Sequence, residues 1–133
     1  MRTGRAIPAG TEAARPFLPT EDFERSKAFY EALGFRKLLD GDVAIFGIGG
    51  TTFILQRPHR EEDWDCDFMM QLMVDDLDGW WRHIEALDLP ARFDVPQPKP
   101  PAMQPWGLRI AYVVDPAGVL WHIAQRRKDN PAD

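Results

Sequence analysis

Apolar residues recur at two different spacings along the chain, and each switch between them marks an element. Leu77, Trp80 or Trp81, Ile84 and Leu87 fall at helical spacing. Asp76 stands just ahead of them, where a carboxylate satisfies the free backbone N–H groups of a helix start. An earlier stretch repeats the pattern: Phe29, Ala32 and Leu33 follow Asp22 and end at Gly34, a typical helix stop. Around these helices the period becomes strand-like. The first half offers Arg15 to Leu18, Phe35 to Leu39, Val43 to Ile48 and Thr51 to Arg57. The second offers Met69 to Val74, Ala91 to Val95, Leu108 to Val114 and Val119 to Gln125. Gly49-Gly50 predicts a tight hairpin, and Asp115-Pro116-Ala117-Gly118 a turn.

The two halves echo each other. Asp22-Phe23-Glu24 overlies Asp76-Leu77-Asp78, and at the same shift Tyr30-Glu31-Ala32-Leu33 overlies Ile84-Glu85-Ala86-Leu87. The expectation is an α+β fold of two tandem β-α-β-β-β modules, residues 15–57 and 68–126. A charged linker at 58–67 joins them, with an N-terminal arm at 1–14, carrying Ile7-Pro8, and a C-terminal tail at 127–133. The segment from Pro96 to Pro105 holds five prolines. Proline lacks a backbone N–H and is unfit for a central strand, so the segment reads as a stiff loop with Trp106 at its end.

A chain of 133 residues, 44% hydrophobic, with 8 Phe, 5 Trp and 2 Tyr, has the length and the material for one domain with a real core. The net charge of −5 argues against nucleic acid, which draws on clustered Lys and Arg, and favours a cationic ligand. The one cysteine precludes an internal disulfide and fits a cytoplasmic setting. It is Cys66, flanked by Asp65 and Asp67, whose charges oppose thiolate formation, and it reads as structural. No stretch approaches the roughly 20 apolar residues of a membrane span. Met1 to Ala14 lacks the apolar core of a signal peptide.

The run from Leu18-Pro19-Thr20-Glu21-Asp22-Phe23 through Tyr30-Glu31-Ala32-Leu33-Gly34-Phe35, with Asp115-Pro116-Ala117-Gly118, resembles the glyoxalase/bleomycin resistance/dioxygenase (vicinal oxygen chelate) superfamily over residues 15 to 125. Gln104-Pro105-Trp106-Gly107 and Leu18-Pro19 resemble its bleomycin resistance branch. The resemblance implies a cupped, barrel-like mixed sheet. It also implies a homodimer with ligand grooves at the interface, where aromatic rings sandwich the drug's bithiazole. Enzymes of this superfamily hold a divalent metal on the first and last strands of the modules. The matching positions here are Arg15, Ile54, Met69 and His122, and only the imidazole is a good donor. His59 and His83 have no partner at ligand spacing. No metal or cofactor is therefore expected.

Strand alternation sorts the cup lining. Leu120, His122 and Ala124 share one face, with Trp121 and Ile123 turned to the helices. Ile54 and Gln56 join the cup, as do Arg15, Phe17, Met69, Gln71 and Met73, while Phe53 goes to the helix layer. The expected ligand contacts are Trp106, Phe46, Ile54, Gln56, Trp64, Gln71 and His122. For Trp106 the alternative is a plug on the sheet edge, for His122 a structural hydrogen-bonded role, and for Trp64 an exposed linker residue. The lining is apolar, sulfur-rich and dotted with amides, as suits a metal-free binder that sequesters a flat, cationic, bleomycin-type antibiotic, with or without its own chelated metal. The alternatives are a metal-dependent glyoxalase- or dioxygenase-like enzyme using His122, and a binder of an unidentified metabolite on the same scaffold.

Overall fold

The computed structural model describes residues 7–58 and 68–127. The first module runs β1 (Phe17–Pro19), α1 (Phe23–Leu33), β2 (Arg36–Asp40), β3 (Ala44–Ile48) and β4 (Thr51–Gln56). The second runs β5 (Met69–Met73), α2 (Leu77–Leu87), α3 (Leu89–Phe93), β6 (Lys99–Met103), β7 (Leu108–Val114) and β8 (Leu120–Arg126). Both long helices start where the sequence places them. The Asp22 carboxylate accepts from Arg25 N at 3.1 Å, and Asp76 accepts from Gly79 N at 2.9 Å. Gly34, at φ 106°, closes α1 in the left-handed conformation that glycine adopts without strain.

The strands form two four-stranded mixed sheets, ordered β1-β4-β3-β2 and β5-β8-β7-β6. In each, the first strand runs parallel to the last and the other pairings are antiparallel. The expected barrel-like closure is corrected: each sheet keeps its own edge strands, and the two are not closed on one another. One face of each sheet packs on the helices. There Leu18, Phe46, Phe53 and Leu55 from the first module join Ala111, Val113, Trp121 and Ile123 from the second, around Phe29 and Tyr30 of α1. The opposite faces are largely open, although on the second sheet Leu108, Ile110 and Ala124 form a small buried cluster there with Met73 and Tyr112.

Two local expectations fail for physical reasons. Ala91 to Val95 is not a strand. Pro90 lies in the first turn of α3, where its missing N–H costs nothing, and the helix takes residues up to Phe93. The proline-rich segment is not wholly a loop, since residues 99–103 form β6. That strand is an edge, paired only to β7, and its register slips between Lys99 and Ala102, where Pro100 and Pro101 sit. An edge with an irregularity is where a strand tolerates proline.

Candidate functional site

The β6–β7 and β7–β8 connections are built alike. Gln104-Pro105-Trp106-Gly107 closes with Gly107 N donating to Gln104 O at 3.0 Å and Gln104 N to Leu108 O at 2.8 Å. Asp115-Pro116-Ala117-Gly118 repeats this, with Gly118 N to Asp115 O at 3.0 Å and Asp115 N to Val119 O at 3.0 Å. Gly107 and Gly118 have φ of 96° and 95°. Both are three-residue hairpins in which proline sets the entry and glycine takes the left-handed position. The first holds Trp106 at its tip with the ring 59% exposed.

The registers arrange the open face of the second sheet into rows. Gln71 lies opposite His122, His122 opposite Tyr112, and Tyr112 opposite Lys99. One polar residue from each strand thus lines up across the sheet, over roughly 14 Å at the usual strand spacing. Apolar rows flank it: Met69, Leu120 and Val114 on one side, and Met73, Ala124, Ile110 and Ala102 on the other. A cleft of about 460 Å³ opens over the His122–Tyr112–Lys99 part of this row, lined also by residues that include Met69, Leu120 and Gln97.

The His122 ring meets Tyr112 edge-on, with centroids 4.8 Å apart and planes at 73°. Its Nε2 is enclosed and makes no hydrogen bond. Burial pushes its pKa below the ordinary imidazole value, so the ring is neutral near pH 7. A neutral imidazole with unspent hydrogen-bonding capacity is a recognition group or a base.

The equivalent row of the first sheet is entirely apolar. Phe17 lies opposite Ile54, Ile54 opposite Ile45, and Ile45 opposite Leu39. Phe17 is 51% and Leu39 48% exposed. Gln56 lies one row along, opposite Pro19.

A family model of the Glyoxalase/Bleomycin resistance protein/Dioxygenase superfamily matches residues 13–123. The chain belongs to this superfamily. Within it, a bleomycin resistance protein of Klebsiella pneumoniae is 32% identical over 117 residues, covering 86% of this chain and 93% of the relative. The fold superposes on a crystal structure of a bleomycin-binding protein complexed with bleomycin at a TM-score of 0.72. Identity there is 29%, with 88% of this chain and 100% of the other covered. A bleomycin resistance determinant encoded on transposon Tn5 gives a TM-score of 0.70 at 27% identity, with 88% and 99% covered. A lactoylglutathione lyase from Agrobacterium tumefaciens shares the fold at a TM-score of 0.64 and 22% identity, with 87% and 95% covered.

The superfamily's enzymes imply a divalent metal on these strands. The matched rows offer one imidazole and one amide, His122 and Gln71, on the second sheet, and Phe17 and Ile54 on the first. Arg15 lies ahead of β1 and Met69 brings a thioether. A hard divalent ion needs three or four converging nitrogen or oxygen ligands, and these residues do not fit it.

The structure divides the contacts expected from sequence. Gln71 and His122 are brought together on the second sheet, and Ile54 and Gln56 occupy the first. Trp106 is exposed at its hairpin tip. Phe46 is fully enclosed on the helix side, stacked on Phe53 at 6.1 Å, and presents no surface to a ligand of this chain. Pairing across the two-residue Gly49-Gly50 hairpin sets Phe46 opposite Phe53, so their shared face was legible. Trp64, with His59 and Cys66, lies outside the described residues. Tyr112 and Lys99 escaped the sequence reading. Tyr112 follows from pairing back from His122 across the Asp115–Gly118 turn, whereas Lys99 depends on the strand that the prolines disguised.

Proposed function

We propose that this protein is a metal-free binder that sequesters a flat, bleomycin-type antibiotic and so confers resistance without making or breaking a bond. The observation that carries the reading is Trp106: a large side chain more than half exposed, held on a turn that Pro105 and Gly107 fix. Rings that cost little to immobilise are effective platforms for flat heteroaromatic ligands. The likeness to bleomycin resistance proteins supports the choice of ligand class, whether the drug arrives bare or with its own chelated metal. Gln71 and His122 supply polar contacts, and Ile54 and Gln56 belong to the half of the groove built on the first sheet.

The functional unit in this reading is a homodimer. The exposed row Phe17–Ile54–Ile45–Leu39 is a costly surface for a monomer, and a second copy set against it both buries the row and completes a groove. The reading places the protein in the cytoplasm, where its lone cysteine stays reduced. Among the described residues no helix is long and apolar enough to cross a membrane.

Calorimetric titration with bleomycin, on protein whose metal content has been measured, tests the proposal. Submicromolar binding near one drug per chain without bound metal supports it. Absence of binding overturns the antibiotic assignment, and a stoichiometric protein-bound metal turns the reading toward an enzyme acting through His122.

A further inference from the structure

The matched rows of the two sheets have diverged completely. Where the first module carries Phe17, Ile54, Ile45 and Leu39, the second carries Gln71, His122, Tyr112 and Lys99. Only the second sheet has hydrogen-bonding side chains along its central row, and only that row ends in a charge.

Lys99 is unusual in its surroundings. The chain is acidic overall, and the other described lysines are each held by two carboxylates. Lys27 meets Glu24 at 3.1 Å and Asp40 at 2.8 Å, and Lys37 meets Glu31 at 3.1 Å and Asp40 at 3.0 Å. Among the described residues Lys99 has no ion pair, and none of those that line the cleft it borders carries a carboxylate. A free ammonium at the margin of an apolar cleft favours an anion there and repels a cation. Next to it on the row stands Tyr112, whose hydroxyl both donates and accepts, and beyond that the unpartnered His122.

We infer that the second sheet prefers an anionic group to a cationic one on a small-molecule ligand: a flat apolar body lies along the Met69–Leu120–Val114 row, and a carboxylate or comparable anion is held by Lys99. The inference rests on the reading of this protein as a small-molecule binder and specifies which part of a ligand this face takes. A cationic end, where the ligand has one, lies away from Lys99. Because the charge is partly exposed, the selectivity is modest and weakens with salt.

The test uses three probes of one shape and different charge: 2-naphthoate, 2-naphthamide and 2-naphthylmethylammonium. Each is titrated by NMR at low salt while the ring signals of His122 and Tyr112 are followed. The expected result is that all shifts centre on these two rings. The carboxylate should bind about three- to tenfold more tightly than the amide, and the ammonium most weakly. Lys99→Gln should erase the carboxylate's advantage while leaving the amide's affinity unchanged, and Lys99→Arg should keep it. An amide that binds as well as the carboxylate, a preference that survives Lys99→Gln, or shifts centred elsewhere would overturn the inference. Bleomycin titrated against the wild type separates the two claims. Drug binding without naphthoate selectivity defeats this inference alone, whereas Lys99-dependent naphthoate binding without drug binding defeats only the antibiotic assignment.

Discussion

The phenol of Tyr30 donates a hydrogen bond of 2.6 Å to the Asp115 carboxylate, tying the helix of the first module to the last hairpin of the second. The same phenol oxygen accepts from Trp121 Nε1 at 2.9 Å, and Asp115 also accepts from Ala117 N and Val119 N. All three side chains are buried. Tyr30→Phe removes one hydroxyl and strips a buried indole N–H and a buried carboxylate of a partner. It should destabilise the fold by about 1–3 kcal/mol, measured as a drop in the urea midpoint with an unchanged slope.

The same residue sets an alkaline limit. Burial, reinforced by the neighbouring Asp115 charge, pushes the Tyr30 phenol well above its ordinary value of 10.0. Its contribution to stability is complete below that value. It is lost as pH rises further, because the unfolded chain ionises while the folded chain stays protonated. Lys27 and Lys37, also shifted upward by their carboxylate partners, add a background in the same direction. The stability difference between wild type and Tyr30→Phe should therefore narrow above pH 10, and a constant difference would refute the assignment.

Gly118 and Gly50 provide a controlled comparison. An added Cβ meets nothing within 4 Å at either position, but only Gly118 has a left-handed φ, at 95°. Gly118→Ala should cost about 1–2 kcal/mol through backbone strain alone. Gly50→Ala should be near neutral by thermal denaturation.

His122 should titrate below the ordinary imidazole value of 6.5, since burial disfavours its charged form. Its contribution to stability is then full above pH 6.5 and falls away as pH drops through the lowered value. Two-dimensional NMR of the ring protons reads this directly. An apparent pKa above 6.5 would place an unseen anion beside the ring.

Trp106→Ala should separate binding from folding. The ring is 59% exposed, so its removal should shift the melting temperature little. If it stacks on a heteroaromatic ligand, bleomycin affinity should fall by roughly 1–3 kcal/mol, by analogy with bases stacked on aromatic side chains. Calorimetry on the variant checks both halves of the statement.

What the sequence disclosed was governed by how local the physics is. Asp22, Asp76 and Gly34 act within one helical turn, and each lies where the pattern put it. The period of two along β4, β5 and β8 was enough to sort Phe53 and Trp121 from Ile54, Gln71 and His122. Misreadings arose where context outweighs composition. Pro100 and Pro101 are compatible with a strand only because β6 is an edge, and an edge is a property of the whole sheet. Phe46 is a different case: pairing back from Phe53 across the Gly49-Gly50 hairpin fixes its face locally, and that signal was passed over. The row from Gln71 to Lys99 joins residues up to 51 positions apart, Gln71 to His122, and only its Tyr112–His122 step is carried by a local turn.

The twin Pro-X-Gly hairpins bear on how such a protein diversifies. At each tip the backbone shape is dictated by the flanking proline and glycine, so the residue between them is released from architectural duty. In one copy that position is Ala117 and in the other Trp106. A single codon at position 106 therefore acts as an evolutionary dial: it exchanges one contacting group for another while the frame stays put. Saturation of that position should yield folded proteins almost throughout, and selection there would be exerted by the ligand alone.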